Sequence, residues 1–313
     1  MLPLLFWFIT TWTAGPVVLA PGPAGAFDET AVKDPSVVRH DGQWHVFYTA
    51  RGQGRYSLGY VTAANWAQLA DAPRHELRQL KGASDPTAAA PQVFYFRPQR
   101  RWYLIYQTKD SNYQPVFSTS SDLSRPELWT EPKPLVEKRE SAKWIDFWVL
   151  CDQQFAYLYF TRAHEAVYVS KTPLQQFPSG WDPPKRIFGP VHESCHVYRA
   201  PDRYIMLFET QTNDLRSYGL AEAPTPEGPW READRAFATN LMLRFAPGVQ
   251  HWTAEVSHGE LIRSGFDERM QVDKAPLQFL IQGLEQGTHR GAYEELKWRL
   301  GVITQDEKPR PGV

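Results

Sequence analysis

The chain has 313 residues, 42% of them hydrophobic, so it can bury a large core, and a fold of this size suits one all-β domain. Its formal net charge is −1, with no basic tract, zinc-finger spacing or RNA-binding signature, which excludes an electrostatic nucleic-acid binder and gives no pull toward anionic lipid. Aromatic side chains make up 14%, including 12 Trp, enough both to fill β cores and to face sugar rings.

Leu2 to Ala20 is apolar and is followed by Ala24-Gly25-Ala26, a small-x-small cleavage pattern ahead of Phe27. Residues 1–26 therefore read as a secretory signal peptide, although no Lys or Arg precedes the apolar run. Pro16, Pro21 and Pro23 argue against a stable spanning helix, so no stable membrane partner is expected. The expected protein is secreted, with residues 27–313 forming the working domain. Cys151 and Cys195 stand in apolar surroundings. An exported protein could pair them, and buried free thiols fit equally well.

From residue 27 onward, one pattern recurs. Asp34 opens DPSVVRHDGQWHVFY, an apolar run, an Asp41-Gly42 turn and a second run carrying Trp44, Val46 and Tyr48 on one face. This is a β-hairpin with a carboxylate at its mouth. Equivalent runs start at Pro91, Asp146, Glu193 and Ser257. The spacing of roughly 45 to 65 residues predicts a β-propeller of five blades. Three strands are legible in each of the first four: SVVRH, WHVFYTA and YSLGYVT in blade one; VFYFR, WYLIYQT and PVFSTS in blade two. Blade three has DFWVLCD, FAYLYFT and AVYVSKT; blade four has CHVYRA, YIMLFET and SYGLAEA. Blade five includes GELIRSG, MQVD, LQFLIQG and WRLGVIT, and late segments are candidates to complete blade one by ring closure. Asn65–Ala70 reads as a short helical turn. Gly52-Gln53-Gly54 reads as a hairpin turn, because no helix pattern follows it.

Three of the five repeat starts are carboxylates: Asp34, Asp146 and Glu193. Glycosidic hydrolysis needs two carboxyl groups in different protonation states, one to protonate the leaving oxygen and one to activate water or attack carbon. A third nearby negative charge keeps the acid protonated. Asp85 and Asp152 read as turn residues, while Glu209, Glu255 and Glu260 are candidates for supporting ion pairs.

Several of these stretches resemble motifs of glycoside hydrolase family 62, the α-L-arabinofuranosidases. They are KDPSVV, AAPQVFYF, WYLIYQ, WIDFWVLCD, SHGELIR, LQFLIQG and YEELKWRLGVIT, in the family's order. The resemblance implies a five-bladed β-propeller and an inverting single displacement on arabinofuranose branches of xylan. It gives Asp34 as general base, Glu193 as general acid and Asp146 as the residue tuning the acid. It further implies Lys33 against a sugar hydroxyl, Tyr293 as a wall of the arabinose pocket, and His258 at a structural calcium completed largely by water. Inversion requires the base and acid carboxyls to stand roughly 6.5 to 9.5 Å apart. No organic cofactor is expected.

His192, His196 and Glu294 depart from the family's pattern. A charged imidazole beside Glu193 would lower its pKa, unless strand alternation turns it away. Two alternatives share the carboxylates: a propeller glycosidase acting on arabinan or xylo-oligosaccharides, and a sugar-binding propeller without catalysis.

Overall fold

The computed structural model describes residues 11–110, 114–136, 143–273, 275–285 and 291–306. The chain opens on β1 (Trp12–Leu19) and then lays down four antiparallel blades in sequence. Blade one is β2 (Ala31–His40), β3 (Gln43–Gly52), β4 (Arg55–Ala63) and β5 (Arg74–Glu76). Blade two is β6 (Ala88–Phe96), β7 (Arg101–Thr108), β8 (Pro115–Ser120) and β9 (Lys133–Pro134). Blade three is β10 (Trp144–Cys151), β11 (Phe155–Arg162), β12 (Ala166–Pro173) and β13 (Lys185–Phe188). Blade four is β14 (Glu193–Arg199), β15 (Tyr204–Thr212), β16 (Leu215–Ala223) and β17 (Arg231–Ala238). The fifth sheet combines β18 (Leu243–Phe245), β19 (Ser257–Leu261), β20 (Gln278–Gly283) and β21 (Arg299–Gln305) with β1, in the order β18-β1-β21-β20-β19.

Burial falls from the axis outward. Every residue of β10 is buried, whereas β13 has none buried. Inner strands are packed on both faces and read as continuous apolar runs. The outermost strands of the first four blades are polar and mostly exposed, and all but β17 are short, which is why the sequence shows three strands per blade and the fold contains four. Turn chemistry sets the hairpins: Asp41 and Gly42 take φ of 48° and 77°, the paired left-handed residues of a tight hairpin turn. Gln53 and Gly54 do the same, and Asn65 caps the 3-10 turn Trp66–Asp71 by accepting from the Gln68 N–H. Asp85 and Asp152 each accept a backbone N–H two residues on, as turn residues.

Three expectations are corrected. Trp12–Leu19 is a strand of blade five, paired antiparallel with β21, although the sequence reading assigned it to a leader over 1–26. The first ten residues lie outside the described residues. Trp12 is fully buried, its Nε1 donating to the Phe237 carbonyl at 2.8 Å. Apolar content over residues 12–19 serves a blade here, so hydropathy alone misassigned it. Ring closure also runs the other way: the chain's start completes the last blade, and blade one needs no late segment. MQVD is no strand, but part of a strap, residues 264–273. This strap bonds to Tyr95, Cys151 and Arg199 at the far ends of β6, β10 and β14. Behind it the axis is plugged by buried Arg263, which pairs with Glu260 and donates to the Val37 and Val93 carbonyls. Cys151 and Cys195 are buried free thiols. Among the described residues no helix is long and apolar enough to cross a membrane.

Candidate active site

Each innermost strand begins with a register shift. It falls between Lys33 and Ser36 in β2, Ala89 and Gln92 in β6, Ile145 and Trp148 in β10, Glu193 and His196 in β14, and Ser257 and Gly259 in β19. Asp34, Ala90, Asp146 and Ser194 sit in these bulges with φ of 47°, 52°, 57° and 53°. Left-handed backbone is disfavoured for non-glycine residues, and a bulge re-aims the side chain it carries. Here the bulges turn Asp34, Asp146 and Ser194 toward His258, whose Nδ1 lies 2.7 Å from Ser194 Oγ, 3.6 Å from Asp34 Oδ1 and 3.9 Å from Asp146 Oδ1. The expected equivalence of the three carboxylates is therefore off by one in blade four. Asp34 and Asp146 are equivalent to Ser194, and Glu193 occupies the position of Lys33, one residue earlier.

Asp34, Asp146 and Glu193 nonetheless line one cavity of about 450 Å³, together with Lys33, Tyr56, His164, Arg216, His258, Tyr293 and Glu294. The Asp34 backbone N–H donates to Gln282 Oε1 at 2.7 Å. Asp146 Oδ2 accepts the Ser194 N–H at 3.0 Å. Burial pushes the Asp146 carboxyl up, with Glu193 and Asp34 adding to the rise and His258 opposing it. Lys33 Nζ lies 2.7 Å from Tyr293 Oη and 3.6 Å from Asp34 Oδ1. Burial disfavours its charge, but Asp34, Tyr293 and Tyr56 outweigh burial and keep it protonated.

One functional side chain escaped the sequence reading, Arg216; its partner Glu209 was expected in a supporting ion pair and makes one. Arg216 Nη1 contacts Glu193 Oε1 and lies 3.1 Å from Glu209 Oε2. Burial raises the Glu193 carboxyl, yet Arg216, with His192, Lys33 and His258, overcomes this and holds it at about 2. Glu209 is fully buried; burial and the Glu193 charge push it up to about 8 despite Arg216. One guanidinium thus serves two carboxylates, and burial opposes the charge of Glu209. The only sequence signal for Arg216 is a charge just before the apolar part of SYGLAEA.

Of the departing residues, His192 Nε2 stands 3.8 Å from Glu193 Oε1, so it faces the acid, not away from it. It precedes β14, where strand alternation does not apply. Burial lowers its pKa, and the Glu193 charge opposes that shift. His196 stacks on Trp148 at 4.3 Å in the core. Glu294 lines the cavity, and its carbonyl accepts from Arg51 Nε at 3.3 Å.

For a metal at the axis, His258 has one nitrogen committed to Ser194. The other oxygens beside that nitrogen belong to Asp34 and Asp146, the carboxylates of the pocket. This set fits calcium, an oxygen-seeking ion, only where water completes nearly all of its shell.

A five-bladed propeller that gathers three carboxylates in a single axial pocket defines the chain as a propeller of the glycoside hydrolase class. It belongs to glycosyl hydrolase family 62, which it matches over residues 11–304. It is 32% identical over 306 residues to alpha-L-arabinofuranosidase C of Cellvibrio japonicus, covering 93% of this chain and 46% of that protein. The chain thus spans about half the length of that relative. The solved catalytic domain of the Coprinopsis cinerea family 62 alpha-L-arabinofuranosidase is 34% identical, with a TM-score of 0.86, covering 95% of this chain and 97% of that one. A family 62 hydrolase solved with xylotriose is 29% identical, also with a TM-score of 0.86, covering 94% and 97%.

Proposed function

We propose that the chain is an α-L-arabinofuranosidase that removes arabinofuranosyl branches from arabinoxylan by a single displacement with inversion. The observation carrying this reading is the meeting of Asp34, Asp146 and Glu193 in one pocket that Lys33 and Tyr293 also line. The similarity to named arabinofuranosidases and to a hydrolase holding xylotriose supports it.

Asp34 takes a proton from a water below the anomeric carbon. The water oxygen bonds that carbon as the glycosidic bond breaks, and Glu193 protonates the departing xylose oxygen. Asp146 orients this acid through the Ser194 N–H and raises its proton affinity by its charge. Lys33 binds a sugar hydroxyl, and Tyr293 walls the ring. With Arg216 in contact, Glu193 rests as a carboxylate, so it must gain a proton as the acceptor sugar enters. Exclusion of water by the substrate favours that neutral form. A structural calcium, where bound, is held by His258 with water and steadies the axis. We place the enzyme outside the cell, where a polymer is met; an export signal would lie outside Trp12–Leu19.

A sugar-binding propeller without turnover is the second reading, favoured by the clasp of Glu193 by Arg216. Wheat arabinoxylan, arabinan and xylo-oligosaccharides, each incubated with the protein, separate the readings. Arabinose released from arabinoxylan alone supports the proposal. Saturable binding without product contradicts it, and release from arabinan in preference shifts the substrate.

A further inference from the structure

We propose that His164, His192 and Glu193 form a site for a divalent transition-metal ion of the zinc class, and that occupancy shuts the pocket's chemistry down by capturing the Glu193 carboxylate. The shutdown rests on Glu193 being the acid; the binding does not.

Three donor atoms, one from each residue, lie within 4.8 Å of one another. His164 Nδ1 is 3.5 Å from Glu193 Oε2, and His192 Nε2 is 3.8 Å from Glu193 Oε1. Ligand atoms around tetrahedral zinc stand about 3.3 Å apart, so the three donors, now within 4.8 Å of one another, must draw together by up to roughly 1.5 Å, which side-chain rotation can supply. The two imidazole rings already stack at 5.1 Å, which holds them on the same side of the carboxylate. They come from different blades: His164 from the turn between β11 and β12, His192 from the approach to β14.

The donor chemistry selects the ion. Two imidazole nitrogens and one carboxylate oxygen, with a fourth position left to water, suit zinc and not calcium or magnesium. The buried Nε2 atom of His192 has no hydrogen-bond partner, a cost that a metal would relieve. Arg216 occupies Oε1 and keeps Glu193 ionised, leaving Oε2 for the metal.

Two features limit affinity and make binding reversible. His164 Nδ1 now lies 3.3 Å from the His192 carbonyl oxygen, and Lys143 Nζ lies 3.3 Å from His164 Nε2. Binding moves the imidazole proton to Nε2 and swings the exposed Lys143 side chain away. The charge of Arg216 further weakens the site. Capture is a ligand exchange: the metal sheds water, Glu193 gains a metal–oxygen bond and can no longer take up the proton it must deliver.

The test is calorimetric titration of metal-free protein with zinc, calcium and magnesium, for the wild type, His164→Ala and His192→Asn. Arabinoxylan hydrolysis with and without zinc is measured for each protein against its own zinc-free rate. The expected result is one zinc per chain, removed by EDTA, with no competition from calcium or magnesium. Each substitution should weaken binding at least roughly tenfold and relieve inhibition in parallel. His164 is exposed, so its variant keeps the fold readable. Absence of stoichiometric binding overturns the site, as does binding unchanged in His164→Ala, which would mean an adventitious ion only. Zinc bound as expected while hydrolysis continues undiminished would uphold the site and overturn the role of Glu193.

Discussion

Asp146 Oδ2 accepts the backbone N–H of Ser194 at 3.0 Å, which ties one carboxylate of the pocket to the residue that follows Glu193 in the chain. An Asn at 146 can keep that bond through its amide oxygen while losing the charge. Removing a negative charge near Glu193 lowers its proton affinity. Asp146→Asn is therefore expected to cut kcat on arabinoxylan by roughly 10²-fold and to move the alkaline limb of kcat to lower pH. Rate–pH profiles of the two proteins check this; an unmoved limb would reduce Asp146 to a purely positioning role.

Glu193→Gln keeps the side chain's size but has no proton to give. Natural xylose leaving groups need that proton; an activated aryl leaving group does not. The variant should lose about 10³-fold on arabinoxylan and far less on a dinitrophenyl arabinofuranoside. Equal losses on both substrates would remove Glu193 from acid catalysis.

The Arg216 bridge predicts a pH-dependent stability. Glu209 is raised in the fold from an ordinary 4.5 to about 8, so its contribution is fully present below about pH 4.5 and is lost as pH rises through about 8. Glu193 is depressed to about 2, so its contribution is present above 4.5 and is lost only as pH falls through about 2. Between these limits Glu209 makes the protein less stable with rising pH, and Asp146, also raised, acts in the same direction. Urea unfolding at about pH 5, 6.5 and 8.5 should show this fall for the wild type, and a flatter dependence for Glu209→Gln.

Closure of the ring by β1 makes the chain's start structural. Trp12→Ala is expected to cost roughly 3–5 kcal/mol, read from the urea midpoint. A chain beginning at Phe27 should lack the near-ultraviolet signature of a packed core, because β18 and β21 lose the strand between them. A folded, active protein from that truncation would restore the leader reading of residues 1–26.

The ring of five and its pocket were legible because inner strands carry dense apolar runs, four of the five opened by a polar residue. Asp34 and Asp146 stood out for that reason. The offset at Glu193 was hidden because a bulge consumes one residue without changing the letters around it, so position counting cannot distinguish Glu193 from Ser194. Arg216 and Glu209 are remote from the repeat starts. Their meeting depends on the β15–β16 hairpin register, which pairs Gln211 with Arg216 and leaves no local periodicity to read. The outer strands stayed silent because they are half solvated and, β17 excepted, short. Trp12–Leu19 misled for the opposite reason: a buried strand near a chain start has the hydropathy of a leader.

The most direct test of the central claim is the stereochemistry of the first product. Wild-type protein and Glu193→Gln would each be mixed with wheat arabinoxylan in an NMR tube, and the anomeric protons followed from the first minutes. The account predicts β-arabinofuranose first from the wild type, with mutarotation afterwards and no early signal from the variant. α-Arabinofuranose as the first product would contradict single displacement and require a covalent intermediate at one of the carboxylates.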